Sequence, residues 1–206
     1  TNETAHALDP TRPTSGVRYI ENSSLLEDIY SYNDFSHTGN NSGVKERRKI
    51  TKHQDKPLLV SEANGHMFPT KSFDTWERRQ EHALRHARVI NDAKKDGDHI
   101  GAIEWCMTDY ATHKDFGSGD RICYHGVMDS FRNPKDAAYL WASGQEKNEV
   151  IHISSSMDIG DYNGGIRGKT WVFTNAERVD VYKNGRKITS LSSSPFSSLD
   201  HGPLVF

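Results

Sequence analysis

Two apolar segments with strand character constrain the fold of this chain more than any other feature. Lys56–Glu62 has the continuous apolar run of a strand buried on both faces, and it closes with a carboxylate. His99–Met107 repeats this pattern and contains Trp105. Between them, residues 74–95 place apolar side chains at helical spacing, with Gly97 as a stop. A strand, a helix and a strand in this order predict a parallel βα unit.

The rest of the chain continues this alternation and then changes character. Further helices are predicted over 1–8, 44–53 and 136–143, and further strands over 17–20 and 29–32. Beyond residue 150 no segment has a helical pattern, and Asn184-Gly185 is the dipeptide of a tight hairpin. The change predicts an α/β domain over residues 1–145 and part of an immunoglobulin-like antiparallel β-sandwich over residues 146–206.

Composition and charge exclude several classes of partner. The 206 residues include 26 basic and 28 acidic ones, a formal net charge of −2, which argues against a general binder of nucleic acids. No apolar run approaches the roughly 18 residues that a membrane span needs. We therefore expect neither a nucleic acid nor a membrane as partner. The cysteines, Cys106 and Cys123, have no Cys-x-x-Cys spacing and are predicted to be reduced, partly buried thiols.

Functional side chains of parallel α/β folds collect where the strands end. This rule selects Tyr32, Asn33 and Asp34, then Glu62, Asn64 and His66, and then Trp105, Asp109 and Tyr110. A carboxylate beside an aromatic ring suits a sugar, because the carboxylate can attack or stabilise an oxocarbenium ion while the indole stacks on the apolar sugar face. The spacing alone leaves a second interpretation of Glu62 open, that of a solvated charge at a strand end.

Weaker patterns suggest metal ions. His82 and His86 have the i, i+4 spacing of two zinc ligands, but no third ligand is evident, so we expect both on a solvated helix face. Asp115 and Asp120, in a Gly-rich loop, could bind a cation or sugar hydroxyls, or could only cap turns. No cofactor is expected to be required, and a structural or site cation at this loop stays open.

Six segments are similar, in their order and spacing, to those of a known enzyme family. They are Leu8–Pro13, Asp28–Asn33, Lys56–His66, Ile100–Tyr110, Tyr124–Tyr139 and Thr174–Gly185. The family that they resemble is glycoside hydrolase family 2, and specifically its bacterial β-galactosidases. The resemblance covers nearly the whole chain. It implies strands 5–8 of a TIM (β/α)8 barrel, the C-terminal half of the catalytic barrel, followed by the start of an antiparallel β-sandwich.

The resemblance also implies residue roles. Glu62 matches the nucleophile of a retaining mechanism, and Trp105 matches the aromatic residue that lines the subsite of the cleaved sugar. His66 lies near a histidine that contacts the sugar in some members. Tyr32 is the candidate for a tyrosine beside the nucleophile, and a shift of register would put Asp34 there instead. The remaining substrate-binding candidates are Asn33, Asn64 and Asp109.

One part of the family's catalytic machinery has no match in this sequence. The family's general acid/base is the Glu of an Asn-Glu pair that ends strand 4. Asn2-Glu3 has these residue types but lies five residues before Leu8, inside the following helix, so we interpret it as solvated helix residues. The resemblance thus implies that the acid/base and strands 1–4 lie outside these 206 residues. We expect the isolated chain to be inactive and to cover its open barrel edge with a second copy or by other packing.

Two alternatives to a β-galactosidase stay open. A non-catalytic carbohydrate-binding or interaction module would use Trp105 but not Glu62. A β-glucuronidase or β-mannosidase of the same family is the other alternative. Glucuronidases bind the sugar acid with an Asn-x-Lys pair, and Asn133-Pro134-Lys135 has this spacing, although it aligns with the turn before the exit helix. A β-galactoside is therefore the expected partner. The compartment is not determined, and the cytoplasm is favoured.

Overall fold

A computed structural model of the chain describes residues 1–39, 43–64, 68–95, 97–114, 119–155, 157 and 168–206. The helices are α1 (Asn2–Leu8), α2 (Arg47–Ile50), α3 (Trp76–Lys95) and α4 (Asp136–Ala142). The strands are β1 (Ser15–Arg18), β2 (Ile29–Asp34), β3 (Leu58–Ala63), β4 (His99–Glu104), β5 (Tyr110–Ala111), β6 (Ile122–Cys123), β7 (Ile151–Ile153), β8 (Trp171–Thr174), β9 (Val179–Lys183), β10 (Arg186–Leu191) and β11 (Leu204–Val205). The predicted α/β class is confirmed.

The chain divides into two compact units. The first comprises Thr1–Met67 and Arg88–Trp105, and the second comprises Phe68–Ala87 and Cys106–Phe206. The domain boundary near residue 145 stays a prediction. Within the described residues, no helix is both long and apolar enough to cross a membrane.

The first unit is built on a parallel sheet in the order β1-β2-β3-β4. The apolar run of β3 is buried as its sequence predicts, since Val60 packs against Val89 and Ala93 of α3. The outer strands β1 and β4 expose apolar side chains: Val17 is 66% exposed and Ile103 is 55% exposed.

The helix predicted over residues 44–53 is shorter than expected. Only Arg47–Ile50 is helical, and Thr51 is already extended. The buried Arg47 guanidinium donates to the carbonyls of Asp98 and His53, at 2.9 and 3.2 Å, and to that of Lys56. Because these carbonyls must reach one side chain, the chain turns back after Ile50 instead of continuing the helix.

The second unit contains three small antiparallel sheets, β5-β6, β11-β8-β7 and β10-β9. The predicted hairpin is confirmed between β9 and β10. Asn184 and Gly185 have φ values of 50° and 78°, the left-handed conformation that a two-residue type I′ turn requires at both positions. Cys106 and Cys123 are free thiols, half-buried and buried, as predicted.

Candidate functional site

Glu62 lies near the carboxyl end of β3, where the regular pairing with β2 is interrupted. Tyr32 pairs with Val60, but the next residue of β2, Asn33, pairs with Glu62. Ser61 is therefore an extra residue in β3, a β-bulge. Consecutive side chains of a regular strand point to opposite faces, whereas the bulge lets both Ser61 and Glu62 reach Asn33.

Asn33 holds the Glu62 carboxylate in place through two hydrogen bonds. The Ser61 hydroxyl donates to Asn33 Oδ1 at 2.9 Å, which orients the amide. Asn33 Nδ2 then donates to Glu62 Oε2 at 2.9 Å. All three side chains are half-buried, so the carboxylate is fixed in direction without being enclosed. Ser61 was not singled out by its sequence, although a hydroxyl within an apolar strand, next to the carboxylate, was the available signal.

Tyr32 lies in the core of the first unit. It is 3% exposed and belongs to a cluster with Tyr30, Ile50 and Leu58. Its ring stacks on Tyr19, with centroids 6.4 Å apart. Burial raises the pKa of the Tyr32 hydroxyl. Tyr32 was the predicted neighbour of Glu62, but the residue of β2 that donates the hydrogen bond described above is Asn33.

Asn64 follows β3 directly and bonds to a second carboxyl group. It has a φ of 62° and is 8% exposed, and its Nδ2 donates to Glu104 Oε2 at 2.7 Å. Glu104 ends β4 and pairs with Ala63. Burial raises the pKa of Glu104 to about 8, with a smaller contribution from the Asp34 carboxylate. Glu104 is not among the site residues predicted from the sequence, although it closes an apolar strand just as Glu62 does.

Trp105 follows Glu104 and is tied to the same strand ends. Its backbone N–H donates to the Ala63 carbonyl at 3.0 Å. The residue is 39% exposed. The sheet therefore brings a partly exposed indole to the end of β4, beside the strand that carries Glu62, and an indole is suited to stack on the apolar face of a sugar.

Comparison with known proteins identifies relatives along the whole chain. No protein-family model matches it. It is 44% identical over 210 residues to a β-galactosidase from Thermoanaerobacterium thermosulfurigenes, covering 99% of this chain and 29% of that protein. It is 40% identical over 210 residues to a β-galactosidase from Thermoanaerobacter pseudethanolicus, covering 100% of this chain and 27% of that protein. The chain thus spans less than a third of the length of these relatives.

Solved structures show the same fold. A β-glucuronidase from Bacteroides uniformis aligns with a TM-score of 0.69 and 17% identity, over 100% of this chain and 26% of that one. A putative β-galactosidase from Bacteroides fragilis aligns with a TM-score of 0.64 and 16% identity, over 100% of this chain and 32% of that one.

The similarity to proteins named β-galactosidase extends along the whole chain, as expected for a fragment of glycoside hydrolase family 2. The resemblance of its six segments to this family is therefore confirmed.

Asp109 lies in the interior of the second unit. Lys135 Nζ donates to Asp109 Oδ1 and to the Thr70 carbonyl, both at 2.7 Å. The backbone N–H of Gly126 donates to the same carboxylate oxygen at 2.9 Å. The side chains of Lys135 and Asp109 are 1% and 2% exposed. Lys135, the last residue of the Asn-x-Lys spacing, therefore directs its ammonium group to internal acceptors.

The candidate cation loop is described only in part. His66 and Asp115 lie outside the described residues. Asp120 accepts hydrogen bonds from the Tyr124 hydroxyl and from the Ile122 N–H, and these bonds lower its pKa. Among the residues that the structure describes, no group of three or more His, Cys, Asp and Glu side chains could hold a metal ion. A cation at this loop stays a prediction.

The expectation that His82 and His86 are solvated is wrong. They are 5% and 0% exposed, and their Nε2 atoms lie 3.4 Å apart. Trp141 Nε1 donates to His86 Nδ1 at 3.4 Å. Burial, with the neighbouring His86, Lys135 and His125, lowers the pKa of His82 well below 6.5. The turn of α3 that carries both histidines is buried within the second unit. The apolar periodicity of the helix does not indicate this burial.

This histidine pair predicts acid sensitivity. His82 is neutral in the folded protein, whereas in the unfolded chain it takes up a proton as the pH falls through 6.5. The free energy of unfolding should therefore decrease below pH 6.5, by up to about 1.4 kcal/mol per pH unit for one such group. Urea unfolding at pH 7.0, 6.0 and 5.0 measures this slope. His82→Gln should reduce it, and an equal slope in the variant and in the unsubstituted chain would contradict the prediction.

Proposed function

We propose that this chain is the part of a retaining β-galactosidase that carries the nucleophile, Glu62. The observation that supports this best is the carboxylate at the end of β3, oriented by Asn33, which Ser61 holds in turn. Its relatives named β-galactosidase are 35–44% identical to it. A carboxylate fixed in direction at the end of a parallel strand is the arrangement that nucleophilic attack on a sugar requires.

The proposed reaction has two steps. A Glu62 oxygen attacks the anomeric carbon of a terminal β-galactoside from the face opposite the aglycone. The bond to the aglycone oxygen breaks, and that oxygen takes a proton from a general acid, leaving a galactosyl ester on Glu62. Water then attacks the same carbon, gives a proton to the acid/base and releases Glu62. Two inversions return the β-configuration.

We propose that the acid/base lies outside these 206 residues. Glu3 is exposed on α1, a helix with no buried residue, and this agrees with its interpretation as a solvated residue. A retaining glycosidase needs two carboxyl groups about 5–5.5 Å apart, and general acid–base catalysis contributes typically 10²–10⁴-fold. The isolated chain is therefore proposed to be inactive.

The parallel sheet is proposed to be strands 5–8 of the catalytic barrel, and the antiparallel strands from β7 onward the start of the β-sandwich. The order β1-β2-β3-β4 fits four consecutive barrel strands. The exposed apolar side chains on the outer strands, Val17 and Ile103, support this proposal, because a closed barrel would cover them. In the isolated chain, a second copy is proposed to cover these edges.

The choice of galactoside over glucuronide rests on the relatives named β-galactosidase, and the position of Lys135 agrees with it. A glucuronide carboxylate would need a reachable cation, but the Lys135 ammonium is buried between Asp109 and the Thr70 carbonyl. Trp105 is proposed as the platform for the sugar ring. Asn64, which is buried in the same unit as Glu62, is proposed to shape the site from within the protein.

Trapping the covalent intermediate tests the proposal. The full-length parent protein is incubated with 2-deoxy-2-fluoro-β-galactosyl fluoride, whose fluoride leaves readily while its C2 fluorine slows hydrolysis of the ester. We expect mass spectrometry of peptic peptides to locate one fluorogalactosyl group on Glu62, and none in Glu62→Gln. A label on another carboxylate would contradict the assignment, and labelling by the glucuronyl analogue alone would favour a glucuronidase. The absence of any label, with galactose still bound, would favour a non-catalytic module.

A further inference from the structure

The strand that carries Glu62 is followed by a contact that the proposed reaction does not use directly. Asn64 donates to the Glu104 carboxyl at 2.7 Å. Glu104 pairs with Ala63, the residue between Glu62 and Asn64, and the backbone N–H of Trp105 also donates to the Ala63 carbonyl. Glu62 thus lies between two supports. Asn33 of β2 contacts its side chain, and the end of β4 contacts the two residues that follow it, Ala63 and Asn64.

The backbone conformation of Asn64 indicates that its hydrogen bond to Glu104 constrains the chain after β3. Its φ of 62° is left-handed, a conformation that Asn adopts more readily than most residues but still at some cost. Such a conformation persists where the surroundings determine it, and here the surroundings include the hydrogen bond to Glu104. If that bond were lost, the chain leaving β3 could relax, and Glu62 lies only two residues away.

We propose that Glu104 is a positioning residue, which, through Asn64, fixes the chain that follows β3 and thereby the direction of the Glu62 carboxylate. The inference rests on the proposed function, and it adds a second contact that fixes the direction of the Glu62 carboxylate. Asn33 holds the carboxylate itself, and the Asn64–Glu104 pair holds the backbone beyond it.

The electrostatic surroundings of Glu104 predict the pH at which its contact with Asn64 weakens. Burial and the Asp34 carboxylate of β2 both oppose its ionisation, while the Asn64 amide favours it, and the pKa is raised to about 8. Titratable groups on the segments that contact Asp34 and the residue before Lys45 are Lys45 itself and Asp92 on α3. The backbone N–H of Lys45 donates to Asp34, and that of Val44 donates to Asp92. Ionised Glu104 places a negative charge near that of Asp34, and we expect the repulsion between the two carboxylates to move the end of β4 away from Asn64, although the hydrogen bond by itself favours the ionised form.

Glu104→Gln tests the proposal because glutamine has the same shape, accepts the Asn64 hydrogen bond and stays neutral. The kcat for p-nitrophenyl β-galactoside is measured from pH 6 to 9.5 in the full-length parent and in this variant. With a pKa of about 8, roughly one tenth of Glu104 is neutral at pH 9. The ratio of variant to parent kcat should therefore rise about tenfold between pH 7 and pH 9. Any alkaline loss due to the acid/base itself cancels in this ratio.

Asn64→Gly provides the second arm, because glycine accepts the left-handed φ and removes only the amide. We expect this variant to lower kcat more than it changes KM, and Glu104→Gln to leave its pH profile unchanged. Glu46→Gln, at an exposed position, is the matched control and should follow the parent profile.

Two results would overturn the inference: a constant ratio of Glu104→Gln to parent kcat from pH 7 to 9, or an alkaline effect of Glu104→Gln that survives in Asn64→Gly. Failure of the proposed function gives a different result, since Glu62→Gln would then retain hydrolysis or the fluorosugar would label another residue. Melting temperatures of each variant show whether a loss of kcat reflects unfolding.

Discussion

Glu62→Gln is expected to reduce kcat for p-nitrophenyl β-galactoside by at least about 10³-fold in the full-length parent. An amide oxygen is a far weaker nucleophile than a carboxylate, so the glycosyl ester cannot form at a useful rate. The substitution keeps the size of the side chain and an oxygen that accepts the Asn33 hydrogen bond. The expected loss is therefore chemical, and the melting temperature should change little.

Two controls make this result specific to Glu62. Glu46→Gln removes an exposed carboxylate from the same unit and should leave hydrolysis unchanged. The 206-residue chain alone should show no hydrolysis, with or without Glu62. If that chain hydrolysed the substrate and lost this activity on Glu62→Gln, a second catalytic carboxylate would lie within it, and the interpretation of Glu3 would be wrong.

The second large effect is expected on stability, from the ion pair of Asp109 and Lys135. Lys135→Met leaves the Asp109 carboxylate buried without its ammonium partner and leaves the Thr70 carbonyl without its donor. Both side chains are almost fully buried, at 1% and 2% exposure, so solvent cannot replace the lost partner. We expect the free energy of unfolding to fall by about 3–5 kcal/mol. Urea unfolding at pH 7 measures it.

A double variant separates the loss of a partner from the loss of packing. Asp109→Asn in the Lys135→Met background removes the buried charge, keeps an oxygen for the Gly126 N–H and should restore part of the lost stability. A fall of less than about 1 kcal/mol for Lys135→Met would show that the pair is hydrated in solution, contrary to the structure.

The candidate site could be predicted in part from the sequence. Glu62 and Trp105 were found because each follows an apolar run, and parallel strands bring their carboxyl ends to one edge. Asn33 was expected near them for the same reason, and it contacts Glu62. Ser61 and Glu104 were missed because their roles depend on a β-bulge and on pairing between neighbouring strands, which apolar periodicity does not encode.

The sequence by itself determined the α/β class, the four parallel strands and the turn at Asn184-Gly185, because apolar spacing and turn chemistry act over a few residues. Only the tertiary structure decided which polar side chains are buried. His82 lies in the protein interior, and Lys135 binds Asp109. Burial depends on segments distant along the chain, so the charge state of a side chain and its availability to a substrate are properties of the assembled fold.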